Sequence, residues 1–362
     1  MSNASQPTGH EKGRRSPLSV AGTESSQWVD DLGVEVPADY GDPAAEERAL
    51  VEAAGMVDRS TRGAVLVSGP EAVTYLHNLL SQDVAGLADG EGAHALLLQP
   101  QGKLDVDLRL LRVGDECWLD CEAGLGEDLA TSLRRFKIRV KADVTDRSGE
   151  WGCLSVRGPQ TAAVVEAASG VALPDRPHAH VPWPGTGLRL VRADWPGGRP
   201  GADVVGPISD LASAWAALEA AGAVPAGLRA YEAVRVAAGV PRQGLDIDRR
   251  TIPQEAFLEL DAVSFTKGCF LGQELVCRID SRGHVNRLLR RFTVTDDTTP
   301  PAGAGIVVGG KEVGALTTVA DTQAGTLALG YLRREVQVPT NVLLRWHGGE
   351  APARAEALPE RA

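Results

Sequence analysis

The residues most able to do chemistry are concentrated between positions 252 and 287. A lysine, a glycine and a cysteine stand together there, as Lys267, Gly268 and Cys269. A glycine accepts a positive φ or the close approach of a ligand. A neighbouring lysine, together with backbone N–H groups between a strand end and a helix start, favours the thiolate form of a cysteine. We therefore predict a strand ending at Val263 and Phe265 and a reactive thiol at Cys269, with Lys267 tuning its charge.

Polar side chains follow this thiol, and we predict a short helix over Gln273–Arg278 to carry the first of them. Arg278, Arg282 and Arg287 come close together in the sequence and could face a bound anion. Glu274 and Arg278 stand four residues apart, which is also the spacing of an ordinary ion pair on a helix surface. Both interpretations of this pair stay open at the level of sequence.

A second group of candidate residues precedes the first by more than a hundred positions. Asp105 and Asp107 alternate with leucine and valine in the stretch Leu104–Leu110. That period of two is typical of a half-buried strand, on which both carboxylates would share one face. They could border a pocket there, or they could form the solvated face of the strand.

The cysteines do not predict a structural metal or a disulfide framework. Their number is five, at positions 117, 121, 153, 269 and 277, and no CxxC pair occurs. An odd count with irregular spacing favours free thiols. Cys269 alone could not hold an iron–sulfur cluster, which usually takes four cysteine ligands. We predict no metal site.

Charge and hydropathy exclude several classes of function. The formal net charge is −11 with a pI near 5.2, whereas a broad nucleic-acid interface needs a basic face. No stretch of 18 apolar residues predicts a membrane span. The polar segment 1–27 lacks an apolar signal core and is typical of a disordered tail. We therefore expect a cytoplasmic protein with no direct nucleic-acid or membrane partner.

The elements that must position these residues follow two patterns of secondary structure. A strand, a Gly-Pro pair and a helix follow one another at Gly69-Pro70 and again at Gly158-Pro159, which predicts two related α+β layers. After Arg287, five short strands separated by glycines predict a small β-barrel. With 362 residues, more than one core is expected. We predict a tail over 1–27, two interleaved α+β subdomains over 28–284, and a barrel over 285–358.

The segment Lys267–Arg278 resembles the signature of the YgfZ family, a Lys-Gly-Cys-aromatic-x-Gly-Gln-Glu-x-x-small-Arg pattern. These proteins are relatives of the T-protein of the glycine cleavage system, also called GcvT. Other segments resemble the same family from about Gly55 to Arg334, and they are Leu133–Val140, Arg235–Pro241, Pro253–Glu255 and Gly314–Leu332.

This resemblance implies an α+β fold of GcvT type, with three parts around a channel that can hold tetrahydrofolate. It comprises antiparallel ferredoxin-like layers and a C-terminal β-barrel. It also implies an accessory role in the assembly or repair of iron–sulfur proteins, with an indirect effect on tRNA modification through a tRNA methylthiotransferase. Cys269 and Lys267 would be the catalytic residues. The residues expected to bind the folate are Asp105, Asp107, Gly268, Gln273, Glu274, Arg278 and Arg282.

Two alternatives accompany this main hypothesis. The first is a folate-dependent aminomethyltransferase like the T-protein, in which Asp105 or Asp107 would contact the folate N10 region and assist proton transfer. Two departures from the T-protein count against it: Ala237 replaces a glutamate that contacts the pterin, and Val106 separates aspartates that are adjacent in the T-protein. The second alternative is a non-enzymatic scaffold in which Cys269 holds a partner or a cluster intermediate.

Overall fold

The structure is a computed structural model that describes residues 15–18 and 27–360. Within these ranges no helix is long and apolar enough to cross a membrane. The helices are α1 Pro43–Glu52, α2 Ala72–Leu79, α3 Gly126–Phe136, α4 Thr161–Ser169, α5 Ile208–Ala220, α6 Leu228–Ala238, α7 Glu259–Ala262 and α8 Gln273–Arg282. The strands are β1 Gln27–Asp31, β2 Val34–Asp39, β3 Gly55–Asp58, β4 Gly63–Ser68, β5 Gly92–Leu98, β6 Leu104–Val113, β7 Glu116–Cys121, β8 Asp143–Asp146, β9 Trp151–Arg157, β10 His180–Pro182, β11 Arg189–Arg192, β12 Gly201–Pro207, β13 Val224–Pro225, β14 Arg287–Val294, β15 Gly305–Val308, β16 Lys311–Thr322, β17 Gly325–Arg333, β18 Thr340–Trp346 and β19 Gly349–Glu356.

Part of the predicted N-terminal tail is packed against the body of the protein. Residues 1–14 and 19–26 of that tail lie outside the described residues. Ser16 donates its backbone N–H to the carbonyl of Glu35 in β2, at 2.9 Å, and Leu18 is buried in a hydrophobic core. Gln27 already belongs to β1. The tail prediction therefore does not describe residues 15–18 and 27.

The first α+β layer is an antiparallel sheet of order β5-β6-β7-β4-β8. Helices α2 and α3 cover one face, where Leu76 and Leu133 pack against Val106 and Leu108. The predicted alternation of β6 holds here, because Val106, Leu108 and Leu110 are all buried in this core. Burying such side chains is the main favourable term for the layer, at about 1.5–3 kcal/mol each.

The second layer is a sheet of order β10-β11-β12-β9-β3-β13, antiparallel apart from the pair β3 and β13. Helices α4 and α5 cover it. Strand β3 precedes the first sheet in sequence and yet pairs with β9, so the two layers are interleaved. Both Gly-Pro corners have the same cause: Gly69 and Gly158 adopt φ +112 and +120. A carbonyl oxygen also lies 2.7 or 2.4 Å from where a Cβ would stand, which excludes larger residues.

The uncovered faces of the two sheets pack on each other. Leu111 of β6 contacts a small apolar cluster from the second sheet, formed by Cys153, Val191 and Val205. Polar residues surround this cluster on the same faces and make the ion pairs described below. The order of layers is therefore helix, sheet, sheet, helix. The face of β6 that carries Asp107 and Arg109 is turned toward the second sheet.

The third part is a closed barrel of order β14-β17-β16-β15-β18-β19. The sequence predicts five of its strands and misses β19, whose inward positions are the small residues Ala351, Ala353 and Ala355. A further hydrophobic core joins the three parts. It contains Leu96 of the first sheet, Val236 of α6, Phe270 of the segment before α8, and Leu329 of the barrel. The predicted α+β class with antiparallel sheets and a C-terminal barrel is confirmed.

Candidate functional site

The segment that carries Lys267 and Cys269 is an irregular loop between α7 and α8. The predicted strand end at Val263 and Phe265 is wrong: α7 ends at Ala262, and the Phe265 side chain is exposed. A strand needs a neighbouring strand to pair with. The backbone N–H of Ser264 instead donates to the carbonyl of Ser81, at 2.9 Å, and Ser81 belongs to no strand.

Ser81 fastens this loop to the first sheet. Its hydroxyl donates to the carbonyl of Ala262, at 2.5 Å, and accepts the backbone N–H of Leu96 in β5, at 2.8 Å. Leu96 is the cross-strand partner of Asp107. The loop and the aspartate strand are therefore neighbours through β5.

A contact between two glycines makes the second attachment. Gly272 adopts φ +76, and a Cβ placed there would stand 2.4 Å from the carbonyl oxygen of Gln99 and 3.2 Å from the Cα of Gly102. Gly102 belongs to the turn that leads into β6. Gly272 is required by this close approach, whereas Gly268 is not: its φ is not left-handed, and a Cβ would meet open space. The structure leaves Gly268 room for a ligand.

The Lys267 ammonium is occupied at the C-terminus of α2. It donates to the carbonyls of His77, Leu80 (2.7 Å) and Gln82 (3.1 Å). The carbonyls of His77 and Leu80 are among the acceptors that the end of α2 leaves without an intrahelical donor, and a cation is favoured there by the helix dipole. Burial lowers the pKa of Lys267 to about 8. Lys267 therefore stabilises α2 in this structure, and its ammonium is directed at carbonyls rather than at Cys269.

Both cysteines of the segment are free, and Cys269 is exposed. Cys277 is partly buried on α8, and burial raises the pKa of its thiol, with Asp280 and Cys269 contributing in the same direction. Gln273 accepts the backbone N–H of Phe270 through Oε1, at 3.3 Å. Cys277 follows Gln273 by one helical turn, so it stands on the side of α8 that faces the Cys269 loop.

The three arginines predicted to face a bound anion do not come together as a cluster. Arg278 pairs with Glu274 at 2.7 Å, with both side chains exposed, and Arg282 is exposed at the end of α8. Arg287 is instead bound to buried Glu255, at 2.9 Å, and lies over the ring of Tyr331. The surface ion pair is thus the interpretation that the geometry of Glu274 and Arg278 favours.

The two candidate aspartates have separate surroundings. A β-bulge in the pairing of β5 with β6 breaks the alternation at Asp105, so Asp105 and Asp107 do not act as neighbours on one regular face. Asp105 accepts a hydrogen bond from Ser132 of α3 and pairs with Arg249, both at 2.8 Å. Asp107 contacts His94 instead, at 2.5 Å between Oδ1 and Nε2.

A glutamine holds the backbone on both sides of the bulge. Gln243 donates from Nε2 to the carbonyl of Asp105 and accepts the N–H of Asp107 at Oε1, each at 2.8 Å. This part of β6 extends past the end of β7, whose pairing begins at Leu108. Gln243 therefore satisfies strand groups that would otherwise lack partners. Sequence reasoning missed both Gln243 and His94. The one local signal was for His94, a polar residue within the otherwise apolar strand β5.

A network of ion pairs, most of them buried, runs behind this site and joins all three parts. It contains six arginines and six carboxylates, namely Arg59, Arg62, Arg109, Arg157, Arg235 and Arg242 with Asp31, Asp120, Glu122, Asp203, Glu232 and Asp246. Burial alone would raise the pKa of Glu122, but the surrounding guanidinium groups outweigh it and hold that pKa low. Hydroxyls of Thr317 and Thr318 in the barrel donate to Asp246. The network therefore fixes the relative positions of the parts.

Two histidines lie in or just before β10: His178, which is partly buried, and His180, which is buried. Burial lowers the pKa of His178 to about 3 and that of His180 to about 4, with Arg109 and Arg189 adding to the effect. Both imidazoles are neutral at physiological pH. Within residues 15–18 and 27–360, His178 Nδ1 has no hydrogen-bond partner.

A cavity of about 390 Å³ opens elsewhere, at the N-terminus of α3. It is bordered by Arg15, Leu32, Ser60, Gly126 and Asp146, among others. All the predicted site residues belong to the described part of the chain, and none of them lines this cavity. Its walls combine one arginine with the carboxylates of Glu127 and Asp146, which do not define one class of ligand.

Fold and site together define a protein of two face-to-face α+β layers and a barrel, with a His–carboxylate pair on the inner face of the first sheet. Residues 19–267 match the profile of the GCVT N-terminal domain family, which is more than half of the chain. The chain belongs to this family.

Relatives and one solved structure agree with that membership. The chain is 28% identical over 338 residues to the aminomethyltransferase of Rubrobacter xylanophilus, covering 92% of this chain and 90% of the relative. It is 30% identical over 317 residues to that of Symbiobacterium thermophilum, covering 83% and 84%. Its fold matches the aminomethyltransferase T of the Bartonella henselae glycine cleavage system with a TM-score of 0.85 over 96% of this chain and 97% of that one, at 23% identity. The predicted cofactor, tetrahydrofolate, agrees with this family.

Proposed function

We propose that this protein binds tetrahydrofolate and transfers a one-carbon unit in a reaction of the aminomethyltransferase type. Membership of the GCVT N-terminal domain family and the named relatives support the reaction class. The observation that carries the proposal is Asp107, a partly exposed carboxylate on the inner face of β6 whose partner is an imidazole. Of the two aspartates, Asp105 is already engaged by Ser132 and Arg249.

The residues present fit a reduced folate in one respect and depart from it in another. A carboxylate with free lone pairs can accept a hydrogen bond from a folate N–H and take up its proton. Asp107 would do this at Oδ2, while Oδ1 keeps its contact with His94. Ala237, in contrast, cannot hydrogen-bond to a pterin. Recognition of the ring therefore depends on backbone groups and on other side chains than in the T-protein.

Calorimetric titration of tetrahydrofolate under reducing conditions tests the binding part. We expect saturable binding to the wild type and weaker binding to Asp107→Asn, with Asp105→Asn as the matched variant two residues away. Release of ammonia and methylene-tetrahydrofolate from an aminomethyl carrier tests the transfer. A well-folded wild type that binds no folate at high ligand concentration contradicts the proposal.

A second candidate function is the accessory role in iron–sulfur protein assembly or repair, with its indirect effect on tRNA modification. The observation that favours it is the exposure of Cys269 within the YgfZ-like segment. Iron–sulfur client proteins or assembly factors would then be the partners. Cys269→Ala should lower the activity of iron–sulfur enzymes in cells, and Cys277→Ala is the matched control. Full enzyme activity in cells that carry Cys269→Ala contradicts this role.

A further inference from the structure

His94 and Asp107 form a pair of titratable side chains that sequence reasoning did not bring together. His94 lies on β5 opposite Arg109, and Asp107 lies two residues before Arg109 on β6, opposite Leu96. Their side chains are 21% and 20% exposed. The pair is therefore fixed by the sheet and still within reach of a small molecule.

The charged groups around this pair are committed to other partners. Arg109, from β6, forms ion pairs with Asp120 at 2.8 Å and Asp203 at 2.7 Å. It therefore does not compete with His94 for the carboxylate of Asp107. Asp105, at the bulge, is held by Arg249. His178, from the second layer, is neutral, because burial lowers its pKa to about 3. Asp107 consequently has an imidazole as its titratable partner.

The proposed reaction moves two protons, and this requirement gives the pair a role. When a methylene carbon becomes bonded to two folate nitrogens, two N–H bonds break and two C–N bonds form. The carbon loses its amino group, which leaves as ammonia with one proton, and its bond to the carrier, whose leaving atom takes the other. A single carboxylate can carry one of these protons at a time.

We propose that His94 and Asp107 work as a two-group proton relay, in which Asp107 exchanges protons with the reacting atoms and His94 acts through Asp107. This inference rests on the proposed function. Asp107 takes a folate proton at Oδ2 as the first C–N bond forms. It then returns that proton to the departing amine, and the imidazole holds or supplies the second proton across the contact between Nε2 and Oδ1.

The test compares His94→Gln with wild type in the folate-dependent release of ammonia. A glutamine amide can still donate a hydrogen bond to Asp107, but it cannot take up a proton. We expect the Kd for tetrahydrofolate to change less than about threefold and kcat to fall about 100-fold, the lower end of general acid–base contributions. The pH dependence of kcat should also lose one limb. His284→Gln, at an exposed loop position, is the matched control and should leave both quantities unchanged.

Two other results are distinguishable. If the wild type binds folate and releases ammonia, and His94→Gln keeps more than a third of kcat with an unaltered pH profile, the relay is refuted while the proposed function stands. If the wild type itself neither binds folate nor releases ammonia, the proposed function fails and the relay fails with it. His94→Phe, which removes the donor as well, separates loss of positioning from loss of proton transfer when His94→Gln is impaired.

Discussion

Replacing Lys267 with methionine separates a structural from a catalytic role of this residue. Methionine keeps an unbranched side chain, and it removes the ammonium that donates to three carbonyls and lies over the ring of Phe270. If the main role of Lys267 is to hold the end of α2, the last turn of α2 should open more often in Lys267→Met than in the wild type. Folate binding should persist in this variant.

The size of the effect follows from which carbonyls water can reach. Leu80 is fully buried, whereas His77 and Gln82 are partly exposed. We therefore count one full hydrogen bond to a charged group, about 1.5–3 kcal/mol, and about 0.3–1 kcal/mol for a cation at a helix C-terminus. Burial of the ammonium, which lowers the pKa of Lys267 to about 8, opposes these contributions. A net loss of about 1–2 kcal/mol is therefore expected.

Hydrogen–deuterium exchange over residues 72–83 is the suitable assay, because a protein of several parts does not unfold in one step. A loss of about 1–2 kcal/mol corresponds to roughly 5- to 30-fold faster exchange. Lys137→Met, which removes one surface ion pair with Asp143 at 3.2 Å, should change exchange by less than about threefold. Unchanged exchange in residues 72–83, together with loss of folate binding or turnover in Lys267→Met, would refute the reasoning.

Three further predictions use other parts of the structure. Gly272→Ala should destabilise the loop by more than about 2 kcal/mol, since its Cβ would meet a carbonyl at 2.4 Å, whereas Gly268→Ala should keep the wild-type melting temperature and weaken folate binding only if a ligand lies against it. Arg242→Met should lower the free energy of local opening, measured by hydrogen exchange over β7, by about 3–5 kcal/mol, because buried Glu122 loses a guanidinium partner; a loss below about 1 kcal/mol contradicts the network. His178 is neutral in the folded protein down to a pKa of about 3 and binds a proton in the unfolded chain below about pH 6.5. Stability should therefore fall by up to about 1.4 kcal/mol for each unit of pH decrease within that window, and His178→Asn should flatten the curve of melting temperature between pH 7 and 5.

Local patterns in the sequence predicted the elements that depend on local causes. The alternation in β6, the two Gly-Pro corners and five barrel strands each follow from side chains within a few residues. The sixth strand, β19, is built on alternating alanines, which carry too little hydrophobic contrast to indicate a strand. The bulge at Asp105 depends on Gln243, more than a hundred residues later, so no local pattern contains it.

Long-range pairing explains the two main differences at the candidate site. Lys267 was interpreted with Cys269, two residues later, yet its acceptors lie at and just after the end of α2, about 190 residues earlier. Arg109 and Asp120 alternate with apolar residues in the manner of a solvated sheet face. They are buried instead, because the second sheet covers that face and supplies Asp203.

The same network that hides those charges singles out the carboxylate suited to proton transfer. Glu122 and Asp203 are each surrounded by arginines, which hold the pKa of both carboxyl groups low against the effect of burial. A carboxylate in that position cannot take up a proton near neutral pH. Asp107 lies on the same inner face but is paired with His94, and imidazole is the side chain that exchanges protons between pH 5 and 8. The arginines thus fix the architecture, while the contact between His94 and Asp107, in which an imidazole stands in place of a guanidinium, is where we expect protons to move.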